Sequence, residues 1–260
     1  MSKKQSNATK QANAQRAAER AAAIRKEQEA KERRRRVLVV SAAVIGVLAL
    51  IVAIAVAVQS SRDTTGEAST PPAGAVDSYA LPYGQAAAPV TVEIYEDFMC
   101  PFCGQFETAS QDMLTEYVDQ GDVLVEYQMI SFLDRASNGT DYSTRAMNAV
   151  GVVLDTSGPE VAKEFHDLLF VNQPAEGTDG LSDEQLVDLA IRAGAERSAI
   201  TQGIEDRSFE QWVKNASDRA SKDDINSTPT VLVDGEKVEA TTIDELVTET
   251  DEAIQAALEE

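Results

Sequence analysis

Residues 88–103 read APVTVEIYEDFMCPFC. A β-branched run, Pro89 to Tyr95, leads directly into Cys100-Pro101-Phe102-Cys103. The run reads as a strand, because Val, Thr and Ile side chains suit a pleated surface. Beyond the cysteines, Gly104 to Gln120 (GQFETASQDMLTEYVDQ) set Phe106, Met113, Leu114 and Tyr117 at helical spacing. The cysteine pair therefore falls where a strand hands over to a helix. A thiol at a helix N-terminus faces unpaired backbone N–H groups and the positive end of the helix dipole, and both favour thiolate. Pro101 suits the first helical turn, where a missing N–H costs nothing.

The C-x-x-C spacing alone leaves three readings: half a zinc site, a structural bridge, or a redox pair. Structural zinc takes four ligands, and the chain holds a single histidine, His166. A fourth ligand would have to be a carboxylate. A bridge across two intervening residues closes so short a loop that it constrains the unfolded chain little. The redox reading accounts for the placement, because Cys103 lies one helical turn beyond Cys100 and can attack a mixed disulfide formed there.

Working outward, Val123 to Ile130 (VLVEYQMI) reads as a second strand, which makes a βαβ unit with a partly parallel sheet. From about 140 to 224 the periods are helical. Met147, Val150 and Leu154 mark one helix, and Val161, Phe165, Leu168 and Leu169 a second. Leu186, Leu189 and Ile191 lie in a third, Ile200 and Ile204 in a short fourth, and Phe209, Trp212 and Val213 in a fifth. His166 sits between core-spaced Phe165 and Leu169 and reads as a structural or surface histidine. Thr230 to Asp234, Gly235 and Glu236 to Glu239 form a hairpin pattern, and Ile243 to Leu258 an amphipathic closing helix. The expected order is βαβ, an inserted helical block, then ββα. Just before the hairpin, Ser227-Thr228-Pro229-Thr230, seen alone, reads as a proline that starts a strand.

Upstream, residues 59–88 are rich in Ser, Thr, Gly, Pro and Ala and read as a flexible tether, so the domain is expected over 89–260. Val37 to Val58 is 22 residues without a charge. At 1.5 Å per residue such a run spans about 33 Å, close to the hydrocarbon core of a bilayer. It follows Arg33-Arg34-Arg35-Arg36 and is too long and too far from the terminus for a cleaved signal peptide, so an uncleaved signal anchor is expected. Residues 1–36 carry 12 Lys+Arg against 4 Asp+Glu, whereas residues 37–260 carry 11 against 40. The basic tail is thus expected in the cytoplasm and the acidic body outside the cell membrane. A body this acidic excludes nucleic acid as a partner, because phosphate neutralisation needs clustered Lys and Arg.

Taken together, Ala88 to Cys103, the strand and helix order, the helical insertion and the Thr228-Pro229-Thr230 loop resemble the DsbA-like thiol-disulfide oxidoreductases of the thioredoxin superfamily. The likeness is closest to the membrane-anchored forms of Gram-positive and actinobacterial type, and it covers roughly residues 77–258. It implies an α/β thioredoxin-like fold with an inserted helical domain, preceded by one transmembrane helix. It also implies Cys100 as nucleophile, Cys103 as resolving cysteine, Pro229 as the cis-proline, and Thr228 as the residue whose backbone pairs with substrate. The implied activity is extracytoplasmic disulfide transfer to secreted or surface proteins, with no cofactor or metal and with a quinone-linked membrane redox partner. A reductase or isomerase of the same compartment, or a peptide-binding module, are the alternatives. Two departures bear on the redox poise. The buried acid that such folds often carry six residues before the first cysteine is Ile94 here, with Glu93, Glu96 and Asp97 nearby, and Phe102 stands where the best-known oxidases have histidine.

Overall fold

The computed structural model describes residues 69–259. The expected cytoplasmic tail and the anchor at 37–58 lie outside them. Among the described residues no helix is long and apolar enough to cross a membrane.

Five strands form one sheet: β1 (Leu81–Tyr83), β2 (Val90–Glu96), β3 (Val123–Met129), β4 (Thr230–Val233) and β5 (Glu236–Lys237), in the spatial order β1-β3-β2-β4-β5. β2 and β3 run parallel, with Val92 opposite Val125 and Ile94 opposite Tyr127. They are joined by helix α1 (Pro101–Gln120), which makes the expected βαβ unit. β4 lies antiparallel to β2, and its turn to β5 sets Asp234 and Gly235 at φ 48° and 82°. Positive φ at both central residues is what a two-residue hairpin turn of this twist demands, hence Asp-Gly. Along β2, Val90, Val92, Ile94 and Glu96 are buried while the alternate residues are half-buried.

α1 starts at Cys100 as N-cap with Pro101 at its first position, and ends at Gly121 in the left-handed region. Its buried stripe is Cys103, Phe106, Glu107, Ser110, Leu114 and Val118. All five expected helices of the insertion are present: α2 (Tyr142–Ser157), α3 (Pro159–Val171), α4 (Asp183–Ala193), α5 (Arg197–Glu205) and α6 (Glu210–Lys222). Phe209 caps α6 instead of lying within it. The closing helix α7 (Ile243–Leu258) begins at Thr242, whose hydroxyl accepts from the Glu245 N–H. One continuous core joins the sheet to the insertion through Val92, Ile94 and Tyr127 on the strands and Met147, Phe165 and Leu169 on the helices.

The tether expected to run to residue 88 gives way to folded chain well before that point. β1 pairs with β3, placing Leu81 opposite Tyr127, and Ala80 and Leu81 are fully buried. Further upstream, the Trp212 indole N–H donates to the Ser78 carbonyl at 2.8 Å, and the Ala73 N–H donates to Asp155 at 2.8 Å. The small, polar composition of this stretch conceals it, because long-range contacts hold it in place of a core pattern of its own.

Candidate active site

The strand-to-helix junction and the loop before β4 meet at the C-terminal end of β2. The Thr228–Pro229 bond is cis, and the Thr228 carbonyl accepts a hydrogen bond from the Cys100 thiol at 3.4 Å. Cys103 N–H donates to the Cys100 carbonyl at 3.0 Å, which closes the first turn of α1. The structure thus brings Cys100, Cys103, Thr228 and Pro229 together, and both cysteines are free thiols. Cys100 is 4% and Cys103 1% exposed.

The two sulfurs are electrostatically unlike. A hydrogen bond from the Cys103 thiol outweighs the burial of Cys100 and, with help from Thr228 and the Phe102 and Cys103 N–H groups, lowers the Cys100 pKa to about 6. Burial pushes the Cys103 thiol well above its ordinary value, and the charges of Cys100 and Glu96 push it further. The pair can therefore hold a thiolate at Cys100 over a protonated thiol at Cys103, the arrangement that thiol–disulfide exchange uses.

Two acids near the cysteines have defined roles. Asp97 is fully buried and accepts from Met99 N–H at 2.8 Å, Ser143 hydroxyl at 2.6 Å and Leu133 N–H at 2.9 Å, so it ties the cysteine loop to the segment after β3 and to α2. Burial raises it to about 7 against the pull of those three donors. Glu96 faces the insertion. Its Oε1 lies 2.5 Å from His166 Nε2, and His166 Nδ1 lies 3.0 Å from Asp167 Oδ1. His166 is fully buried, edge-on to Phe98 and against Tyr127. Burial opposes its charge, yet the Glu96 charge and the two carboxylate hydrogen bonds prevail and raise its pKa. The histidine is a buried cation between two acids, so of the two sequence readings the structural one holds. Glu107, buried beside this pair, is raised by burial and by the neighbouring Glu96 charge.

Glu96, Glu107 and His166 are the group of three close donors among the described residues, with ligand atoms within 4.8 Å of one another. Both ring nitrogens of His166 are engaged by carboxylates. Neither cysteine belongs to that group, and the zinc reading of the pair finds no donors in it.

Phe102 is 56% exposed and borders a groove of about 310 Å³ with Pro229, Val238, Ile243 and Leu246. The groove is lined by Thr228 and Pro229, on either side of the cis bond. On the other side of the loop, Gln173 donates through its side-chain amide to the carbonyls of Phe98 and Cys100. The sequence reading missed Gln173, Glu107 and the Glu96–His166 pair. Only the spacing of His166 within a core stripe hinted at its burial.

Among known proteins, a family model described as thioredoxin matches residues 77–252. The serine/threonine-protein kinase PknE of Mycobacterium tuberculosis is 32% identical over 155 residues, which cover 57% of this chain and 27% of the kinase. Disulfide bond formation protein D of Bacillus subtilis is 26% identical over 152 residues, covering 58% of this chain and 65% of that protein. The chain thus spans about a quarter of the kinase it matches and just under two thirds of the Bacillus protein. Reduced DsbA of Mycobacterium tuberculosis superposes with a TM-score of 0.57 at 29% identity, covering 69% of this chain and 98% of that one. BdbD of Bacillus subtilis gives 0.61 at 24% identity, covering 70% and 94%, a likeness of fold.

Proposed function

Because this chain belongs to the thioredoxin family, we propose that it is a DsbA-type thiol–disulfide oxidoreductase that introduces disulfides into secreted or cell-surface proteins. The observation that carries the proposal is the unlike pair at the start of α1: Cys100 lowered to about 6 and in contact with Thr228, with Cys103 buried one turn behind it. In the oxidised protein a substrate thiolate attacks the Cys100 sulfur, and the Cys100–Cys103 bond breaks with its electron pair leaving on Cys103. Burial disfavours that thiolate, so Cys103 takes up a proton. A second substrate thiolate then attacks the substrate sulfur of the mixed disulfide and expels Cys100 as thiolate, the better of the two leaving groups. Two substrate thiols are oxidised, and the protein disulfide is reduced by two electrons.

Thr228 and Pro229 position an extended substrate strand beside Cys100, and the groove bordered by Phe102 receives its apolar side chains. The apolar run at 37–58, with four arginines before it, supports a single-pass anchor that holds the domain outside the cell membrane. Disulfides persist in that compartment. Re-oxidation requires an acceptor for two electrons, and a quinone-linked membrane protein is the partner proposed. Thiol trapping of Cys100 and Cys103 in growing cells tests the direction: a mostly oxidised pair supports the oxidase, and a mostly reduced pair assigns a reductase.

A further inference from the structure

We propose that Gln173 is a positioning residue for Cys100: its side-chain amide latches the cysteine loop to the helical insertion, and Gly104 is glycine because that amide lies over it. The proposal rests on the reading of Cys100 as the attacked sulfur.

Gln173 follows the end of α3, where its own N–H is held by the Phe170 carbonyl at 3.1 Å. Pro174 comes next and restricts the Gln173 backbone to extended conformations, so the side chain leaves from a fixed base. Its Nε2 donates to the Cys100 carbonyl at 2.9 Å and to the Phe98 carbonyl at 3.2 Å. A primary amide has two hydrogens, and both are used on this one loop. The loop is held on its opposite side by Asp97, through Met99 N–H. The segment between β2 and α1 is thus pinned from the insertion by Gln173 and from within by Asp97.

The position of Gly104 completes the fit. A Cβ built there would lie 3.1 Å from the Gln173 amide carbon and closer still to its oxygen, and the three nearest atoms all belong to that side chain. No backbone atom blocks a methyl group, so the fold can accept alanine while the latch cannot. The chemical consequence follows from where the thiolate finds its donors. Cys100 Sγ is stabilised by the N–H groups of Phe102 and Cys103, whose reach depends on where the Cys100 peptide sits. A latch on that peptide's carbonyl fixes the distance, and the amide hydrogens bring the positive end of their dipole to the same loop. Releasing it weakens the thiolate.

The test is the ionisation of Cys100, followed by thiolate absorbance and by the pH dependence of alkylation in the reduced protein. Loss of a hydrogen bond of ordinary strength predicts that Gln173→Ala lowers the Cys100 ionisation constant about three- to sevenfold. Gln173→Glu should lower it more, because a carboxylate cannot donate and adds negative charge. Gly104→Ala should match Gln173→Ala, and the double variant should add nothing to either, since both remove one interaction. Folded Gln173 variants with an unmoved Cys100 pKa would overturn the proposal, even if their urea midpoints fall, because that pattern belongs to a merely structural side chain. Additive effects of Gly104→Ala and Gln173→Ala would overturn the latch as the reason for the glycine. Should Cys103 instead of Cys100 prove the more acidic thiol in the unaltered protein, the assignment of the site fails, and the latch with it.

Discussion

Acidification should remove a stabilisation that the reduced protein has and the oxidised protein lacks. In the reduced fold the Cys100 thiol titrates at about 6, against about 8.5 in an unfolded chain. A pKa depressed by folding stabilises the fold fully above the unfolded value, and the gain is lost as pH falls through the folded value. Between pH 8 and pH 5 the linkage amounts to about 2.5 kcal/mol, or about 1.5 kcal/mol once solvent screening is allowed for. Cys103 does not interfere, because its thiol is raised and its cost appears only at pH above the ordinary thiol range. Asp97, Glu107 and His166 titrate in both redox states and largely cancel in the difference. Urea unfolding of the reduced and the oxidised protein, each from pH 5 to pH 8, measures that difference directly. Reduced minus oxidised stability should be flat near pH 5 and climb between pH 6 and pH 8. Parallel curves across the range would refute a stabilised Cys100 thiolate and, with it, the account of the site's redox poise.

Phe102 is exposed, so Phe102→His should be accommodated; a cation beside the Cys100 thiolate should shift the glutathione equilibrium about tenfold toward the reduced protein, equivalent to about 30 mV, and an unmoved equilibrium would mean that other groups set the potential. Leu81→Ala removes a fully buried side chain from β1 and should cost about 2–4 kcal/mol in urea unfolding; a cost near zero would return that stretch to a tether. His166→Gln leaves Glu96, 1% exposed, without its counter-charge, and should cost about 3–5 kcal/mol at neutral pH; unchanged stability there would show that the pair is not ionised.

Elements with a local pattern were legible in the sequence. The apolar spacing of Ile243 to Leu258 predicts a helix over the same residues that α7 occupies, and Asp234-Gly235 fixes the hairpin turn. The cysteine pair was legible for the same reason, since strand, cap, proline and helix follow one another within a dozen residues. β1 was not: three residues, one of them proline, are too short to show a period, and Leu81 is buried only because it meets Tyr127. His166 and Glu96 are 70 positions apart, and Gln173 and Cys100 are 73 apart. Such pairs are made by the packing of the insertion on the sheet, which no window along the chain displays.

Ile94 illustrates how a departure from a family pattern resolves in three dimensions. It is fully buried in the centre of the sheet, opposite Tyr127 on one neighbouring strand and Val231 on the other. Side chains two apart on a strand share a face, so Glu96 points to the side that Ile94 does, about 7 Å further along the strand toward the cysteines. From there its charge reaches Cys103 and helps to keep that thiol protonated. An acid placed so close to the redox pair would be costly if left alone, and here the inserted helix α3 supplies its counter-charge through His166. The insertion is therefore not a covering laid over a self-sufficient site. It supplies His166, whose ring pairs with Glu96, and Glu96 widens the gap between Cys103 and Cys100. That gap makes Cys100 the sulfur that the mixed disulfide releases as thiolate and Cys103 the one that stays protonated.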